Sequence, residues 1–315
     1  MSTVHSGAGV SPRVTGSGDR APRRHWSRKE DKIAYAMLVP GLLPYIAFAL
    51  LPIGWLIRYS FFRWNGFTEP SFVGLDNYAR VMRDDQWWSS VVNTLQFGFG
   101  RLIIEVPVAM ALAYVFFRGV RAGVVYRTIV FLPHVLSAAI IGIIFAFLLR
   151  DVGGPVNQVL GGFGIDPIAF FGDAQNAMVS LIGVGVWANV GIIMLLFFAG
   201  MATVPKELLE AAELDGAGHW STFRHIMLPM LLPVTRVVVL ITIIGILRSF
   251  DLVKTLSDGG PNGATEVMFT YLYRYFFEPE AIPQIGYAAA LGVVASIVIG
   301  IVSIAYLRVV RPATA

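Results

Sequence analysis

The sequence predicts an all-α integral membrane protein: six transmembrane helices, with a polar loop on the cytoplasmic side between spans four and five. Three observations predict it. Of its 315 residues, 56% are hydrophobic and only 14% charged, whereas soluble domains carry roughly 25% charged residues. Six apolar stretches each approach or exceed the length of a bilayer crossing, about 20 residues of helix. One long interior stretch, 210–229, cannot lie in hydrocarbon and falls between the fourth and fifth of them.

The elements follow in order. Residues 1–32 are rich in Gly, Ser, Pro and Arg without apolar periodicity, which predicts a disordered, basic cytoplasmic tail. The apolar run after it is too long for the h-region of a signal peptide, about 7–15 residues. The first span is 33–57, with Pro40, Pro44 and Pro52 inside it; neighbouring helices can satisfy the carbonyls that such prolines free. Residues 58–88 are mixed and polar, and Trp64, Trp87 and Trp88 there suggest an interfacial belt.

The second span is 90–117. Arg101 and Glu105 sit inside it on one face, four residues apart, which reads as a mutual ion pair. Arg118, Arg121 and Arg127 mark a short turn. The third span is 128–149, with Pro133 and His134 near its start, and the fourth is 177–201, with Trp187 and Asn189 inside. The fifth is 234–252, with Arg248 and Asp251 near its far end, and the last is 285–307. Gly292, Ser296 and Gly300 repeat every four residues in it, a spacing that lets helices approach closely.

Charge fixes the orientation. With both ends inside, 14 of the 24 Lys and Arg residues fall on the cytoplasmic side, and 11 of the 20 acidic residues fall outside. The positive-inside rule favours this arrangement, which also puts the 203–229 loop in the cytoplasm. In that loop, Lys206 to Leu214 has helical spacing, Pro205 suits a first turn, and Asp215-Gly216-Ala217-Gly218 is a breaker. A second short helix follows, with Trp220, Phe223 and Met227 on one face, closed by Pro229 and Pro233. Such a pair either packs on its own bundle or docks into a partner. DNA reading is disfavoured, because the second helix carries only Arg224 as a fixed charge and phosphate binding needs many cations.

Enzymatic chemistry finds no support. No phosphate-binding G-x-x-x-x-G-K-[ST] and no H-E-x-x-H occurs, the five His are scattered, and there is no Cys for disulfides, thiolate catalysis or metal ligation. The string Gly183-Val184-Gly185-Val186-Trp187-Ala188 fits a dinucleotide fingerprint only superficially, since it lies in mid-span with no strand before it. No cofactor is expected.

Glu210-Ala211-Ala212, Asp215-Gly216-Ala217, Phe223, Ile226 and Leu228-Pro229 together resemble the signature loop of binding-protein-dependent ABC importer permeases. Phe72-Val73-Gly74-Leu75-Asp76-Asn77-Tyr78, Asn93-Thr94 and Gly259-Gly260-Pro261 resemble the sugar-importing branch of that family. The resemblance implies that 203–229 holds a coupling helix seated in a cleft of a separate cytoplasmic ATPase. Ala211, Leu214 and Phe223 would centre its apolar face, Glu210 would pair with a basic residue there, and Gly216 would make the turn. It implies further partners: a second permease subunit, an ATPase dimer and an extracytoplasmic solute-binding protein, in a bacterial inner membrane. The solute would be an oligosaccharide, monosaccharide, polyol or glycerol phosphate; a polyamine or phosphate is the alternative within the family. Asn93, Asn189 and Arg248 are candidate pathway residues. The rival class is a self-sufficient ion-coupled transporter or channel using Arg101, Glu105 and Asp251.

Overall fold

The computed structural model describes residues 28–278 and 282–309 and is almost entirely helical among them. Most of the expected tail, 1–27, lies outside the described residues. The chain divides into compact units 1–53 and 54–315. The described part of the first holds α1 (Arg28–Tyr45), a π turn over Ile46–Leu50 and the start of α2 (Leu51–Tyr59). Helix α1 thus begins ahead of the apolar run. The wide turn comes just before Pro52, whose ring would collide with the carbonyl four residues back in a regular helix.

In the second unit the chain first makes a two-stranded antiparallel hairpin, β1 (Phe62–Arg63) with β2 (Ser71–Phe72). This is the one departure from an all-α chain among the described residues. Helix α3 (Asp76–Met82) follows. The Asn77 side-chain amide donates to the Ser60 and Phe62 carbonyls, each at 2.9 Å, and the Tyr78 hydroxyl lies 2.6 Å from Ser60 Oγ. The sugar-branch motif is therefore a clip that fastens α3 to the end of α2 and to β1.

Helix α4 (Asp85–Phe117) starts earlier than the predicted span, because Asp84 caps it by accepting from the Trp87 amide. Trp87 is completely buried beside Tyr271. It belongs to the core rather than to an interfacial belt, since the early helix start turns its ring inward.

The predicted third span is two helices, α5 (Gly123–Val135) and α6 (Ala138–Leu148), bent by 94°. Leu136 and Ser137 are both extended at the break, three residues after Pro133 has removed one helical donor. Helix α7 (Pro155–Gly162) lies between the third and fourth predicted spans. Helix α8 (Ala174–Met201), capped by Asp173, sits at the centre of the unit. At Gly191 a Cβ would lie 2.3 Å from the Val130 carbonyl oxygen of α5, so this contact requires glycine. Phe97, Ala109 and Ala113 of α4 pack with Leu181, Val184, Met194 and Phe197 of α8 in two buried clusters.

The loop contains α9 (Lys206–Leu214) and α10 (His219–Thr222), then a π turn over Phe223–Met227 and α11 (Leu228–Met230). Helix α12 (Leu232–Leu247) leaves this segment at 69°. It stops short of 252. The chain breaks at Arg248–Phe250 and restarts as α13 (Asp251–Leu256), which packs against α6 where Gly142 leaves no room for a side chain beside Thr255. Helix α14 (Met268–Phe277) was not evident in the sequence; α15 (Ile285–Val309) was. Of the predicted small-residue stripe only Gly292 meets neighbours, Leu272 and Leu56; Ser296 is exposed and Gly300 faces open space. The buried face of α15 is instead Tyr287 to Leu291 with Val294 and Ala295.

By length and composition the described residues hold four helices able to cross a membrane, or up to six if each bent pair counts as one span.

Candidate functional site: a polar cavity and a projecting loop

The two helix breaks create the site. Where α12 ends and α13 begins, a cavity of about 470 Å³ opens, lined by Arg101, Glu105, His134, Asn189, Arg248 and Asp251 among apolar residues. Six helices contribute: α4, α5, α6, α8, and α12 and α13 on either side of the 248–250 break. Arg248 and Asp251 are exposed at its mouth. Arg101 and Glu105 are buried in its wall, with Nε and Nη2 of Arg101 donating to both Glu105 oxygens at 2.9–3.1 Å. Gly185 makes space for that pair; a Cβ there would lie 2.9 Å from Arg101 Cδ. The predicted local ion pair is thus formed within one helix, and each charge neutralises the other.

Of the three candidate pathway residues, the cavity brings together Asn189 and Arg248. Asn189 donates to the Gly185 carbonyl at 3.1 Å, which leaves its amide oxygen free to accept. Asn93 does not line the cavity. Its side-chain amide donates to the Gly263 and Glu266 carbonyls at 2.8 and 3.1 Å, and the Thr94 hydroxyl accepts from the Met268 amide at 3.0 Å. Asn93-Thr94 therefore ties α4 to the loop that carries Gly259-Gly260-Pro261, its short polar side chains capping that loop's backbone.

Thr242 and Ser249 also line the cavity and had not been singled out. With Gly245 they recur at spacings of three and four along otherwise apolar sequence, a signal that could have marked this face.

The loop shows a second arrangement. Helix α9 covers the range expected from spacing, with Pro205 as its N-cap rather than in its first turn. Gly216 makes the turn at φ +75° in open space. Glu210, Ala211, Leu214 and Asp215 are exposed, Leu214 at 90%, and Trp220 is exposed at 70%. Ala212 is buried, Ala217 and Ile226 are half-buried, and Pro229 is exposed. Phe223 does not share the outward face with Ala211 and Leu214. It packs inward on Tyr114 at 4.6 Å between ring centroids, beside the cluster of Met194, Met227 and Leu231. The π turn there shifts side-chain phase, so the Trp220, Phe223 and Met227 set does not keep one helical face.

At the opposite end of α4, the Tyr271 and Tyr287 hydroxyls donate to Asp84 Oδ2 at 2.7 and 2.5 Å. Burial pushes the Asp84 carboxyl up, but these hydroxyls and the Trp87 amide outweigh it and hold it below the usual carboxylate range. Among the described residues no cluster of three or more His, Cys, Asp or Glu could hold a metal. What the arrangement offers is a polar recess between apolar helices and a projecting loop, without a catalytic constellation.

Known proteins are similar to this chain in sequence and fold. The family described as binding-protein-dependent transport system inner membrane component matches residues 105–315. The probable ABC transporter permease protein YurN of Bacillus subtilis is 34% identical over 271 residues, covering 84% of this chain and 91% of that protein. The arabinooligosaccharides transport system permease protein AraP of B. subtilis is 34% identical over 87% of each chain. The trehalose/maltose transport system permease protein MalF of Thermococcus litoralis is 29% identical over 90% of this chain and 95% of its own. In fold, the chain superposes with a TM-score of 0.78 on a chain of a bacterial ABC transporter involved in import of the acidic polysaccharide alginate. That match has 24% identity and covers 91% of this chain and 98% of the other. The extent of the family match and the near-complete overlap with these permeases lead to one conclusion: the chain belongs to the binding-protein-dependent ABC importer permeases, the inner membrane components of such transport systems.

Proposed function

We propose that the chain is one of two permease subunits of an ATP-driven importer for a sugar or sugar-like solute. An extracytoplasmic binding protein delivers the solute, and a cytoplasmic ATPase dimer docks on the 203–229 loop. The observation that carries this reading is the cavity at the α12–α13 break. Asn189, Arg248, Asp251 and His134 meet there in the middle of apolar helices, and helix breaks at depth are tolerated where they line such a recess. Each bent pair then counts as one crossing, giving six spans with both ends in the cytoplasm, as the charge distribution favours. Several relatives are named for sugars, among them arabinooligosaccharides and trehalose or maltose, which supports an oligosaccharide over a polyamine. The mouth carries one cation and one anion, Arg248 and Asp251, a balance that suits a neutral polyhydroxylated solute.

Docking of Glu210, Ala211, Leu214 and Asp215 into the ATPase lets closure of the ATPase move the helices as rigid bodies. The rival reading, a self-sufficient ion-coupled transporter, would use Glu105; the pairing of Glu105 with Arg101 within α4 speaks against it. The test is co-purification in mild detergent with the ATPase, second permease and binding protein of the same genome, followed by uptake in proteoliposomes. ATP-dependent uptake of an oligosaccharide is expected. Ion-gradient-driven flux by the purified chain alone would establish the rival.

A further inference from the structure

The loop touches the bundle at one concentrated place. The Tyr114 hydroxyl donates to the His219 carbonyl at 2.8 Å. The Arg118 guanidinium lies against both ring nitrogens of His219, with Nη2 at 3.1 Å from Nε2. The Tyr114 ring packs on Phe223 at 4.6 Å, and Phe223 stacks on Trp220 at 5.7 Å with ring planes 29° apart. All these contacts join the last turn of α4 to the start of the second loop helix. They combine an aromatic contact with hydrogen bonds to backbone and side chain, so neither sliding nor rotation is free.

Helix α4 then runs without a break from this joint to Asp84. Arg101 stands 17 residues before Arg118 on this helix, a rise of about 26 Å at about 1.5 Å per residue. Arg101 and Glu105, on the same helix, stand in the cavity wall against Gly185 of α8. Close backbone packing fastens α8 to α5 at Gly191. A displacement of the second loop helix is therefore carried to the cavity along α4, which stays helical through Pro107, while the breaks at Leu136–Ser137 and Arg248–Phe250 leave α6 and α13 outside that set.

We propose that the Tyr114–Arg118 end of α4 and the His219–Phe223 segment form a fixed strut, by which movement of the loop reaches the Arg101–Glu105 wall of the cavity. The inference rests on the permease reading above and deepens it. Tyr114, Arg118 and His219 are positioning residues: they touch neither solute nor nucleotide. The loop's outward face, Leu214 and Trp220, makes the docking contact, and the strut passes the motion on.

Two experiments test it in the reconstituted complex. The first combines Tyr114→Phe with Arg118→Ala and reads ATP hydrolysis and solute uptake separately. The expected result is normal co-purification of the ATPase and hydrolysis within about twofold of wild type, with solute moved per ATP reduced about tenfold, a coupling loss of ordinary size. Equal loss of both rates, or no change in either, would overturn the proposal. The second uses the chain's lack of native cysteine. Arg118→Cys with His219→Cys, bridged by a short bis-maleimide, should retain uptake, because the strut moves as one piece. Failure of the pair to cross-link, or cross-linking that abolishes uptake, would show that the joint is absent or opens during the cycle. If no ATPase co-purifies with wild type, the permease reading itself falls and the strut with it, a result distinct from a coupled wild type with unaffected variants.

Discussion

Removing Glu105 alone should cost more than removing the whole ion pair. Glu105 is completely buried and Arg101 is 5% exposed, with three hydrogen bonds between them. For opposite charges about 4 Å apart at an effective dielectric of about 20, the attraction is about 4 kcal/mol. Glu105→Ala forfeits that and strands a guanidinium that Gly185 and α8 hold in place, so a loss of about 3–5 kcal/mol is expected. One side of the pair faces the polar cavity, where water can solvate the orphaned charge, which favours the lower end, about 3 kcal/mol. Arg101→Met with Glu105→Leu removes both charges at similar volume and should fall within about 1 kcal/mol of wild type. The assay is the midpoint of thermal unfolding in detergent, followed by size-exclusion fluorescence, where about 3 kcal/mol corresponds to a fall of roughly 6–12 °C. Should Glu105→Ala melt with wild type, or the double variant melt as low as the single one, the pair would not be the buried, self-neutralising unit described. Uptake by the double variant further separates roles: the structural reading expects it to survive.

Other perturbations follow from the same geometry. Asp84→Asn removes an anion that two tyrosine hydroxyls stabilise and should cost about 2 kcal/mol at neutral pH. Because the folded carboxyl titrates below its unfolded value, that stabilisation is present above about pH 4 and is lost as pH falls through the folded pKa. The gap between wild type and variant in pH-dependent melting should therefore close in acid. Gly191→Ala pushes a methyl into the α5 backbone at the Val130 carbonyl and should cost about 1–3 kcal/mol, visible as a lower melting midpoint with unchanged ATPase co-purification. Leu214→Arg, at a position 90% exposed, should leave the melting midpoint within about 0.5 kcal/mol of wild type while abolishing recovery of the ATPase in a pull-down.

Long apolar runs were the most legible part of the sequence. Residues 177–201 and 285–307 lie within α8 and α15, since in hydrocarbon a helix must satisfy its own backbone and little else competes. The breaks were not legible. Nothing in 128–149 except Pro133 marks the 94° bend, which depends on how α6 packs against α13 through Gly142, a contact more than a hundred residues distant in sequence. Helix α14 escaped notice because its aromatic run is short and owes its order to Tyr271 reaching Asp84. Asn189 and Arg248, which line the cavity, stand out in the sequence because polar residues in apolar spans are few. Asn93 stands out by the same rarity, yet its side chain caps a distant loop, and spacing alone does not separate the two situations. Phe223 was set on the outward face for want of any sign of the π turn that carries it inward.

On the importer reading proposed above, the break at Arg248–Phe250 has a consequence for how solute choice can drift. A helix end leaves up to four carbonyls without intrahelical partners, and here the interruption borders the recess itself. Peptide groups exposed in that way offer hydrogen bonds that no substitution deletes. The side chains around them, Asn189, Arg248, Ser249 and Asp251, can change with the solute while the main chain keeps offering polar partners. On that reading, a scaffold built so could be retuned by single replacements while its main chain kept offering partners to a hydroxylated solute.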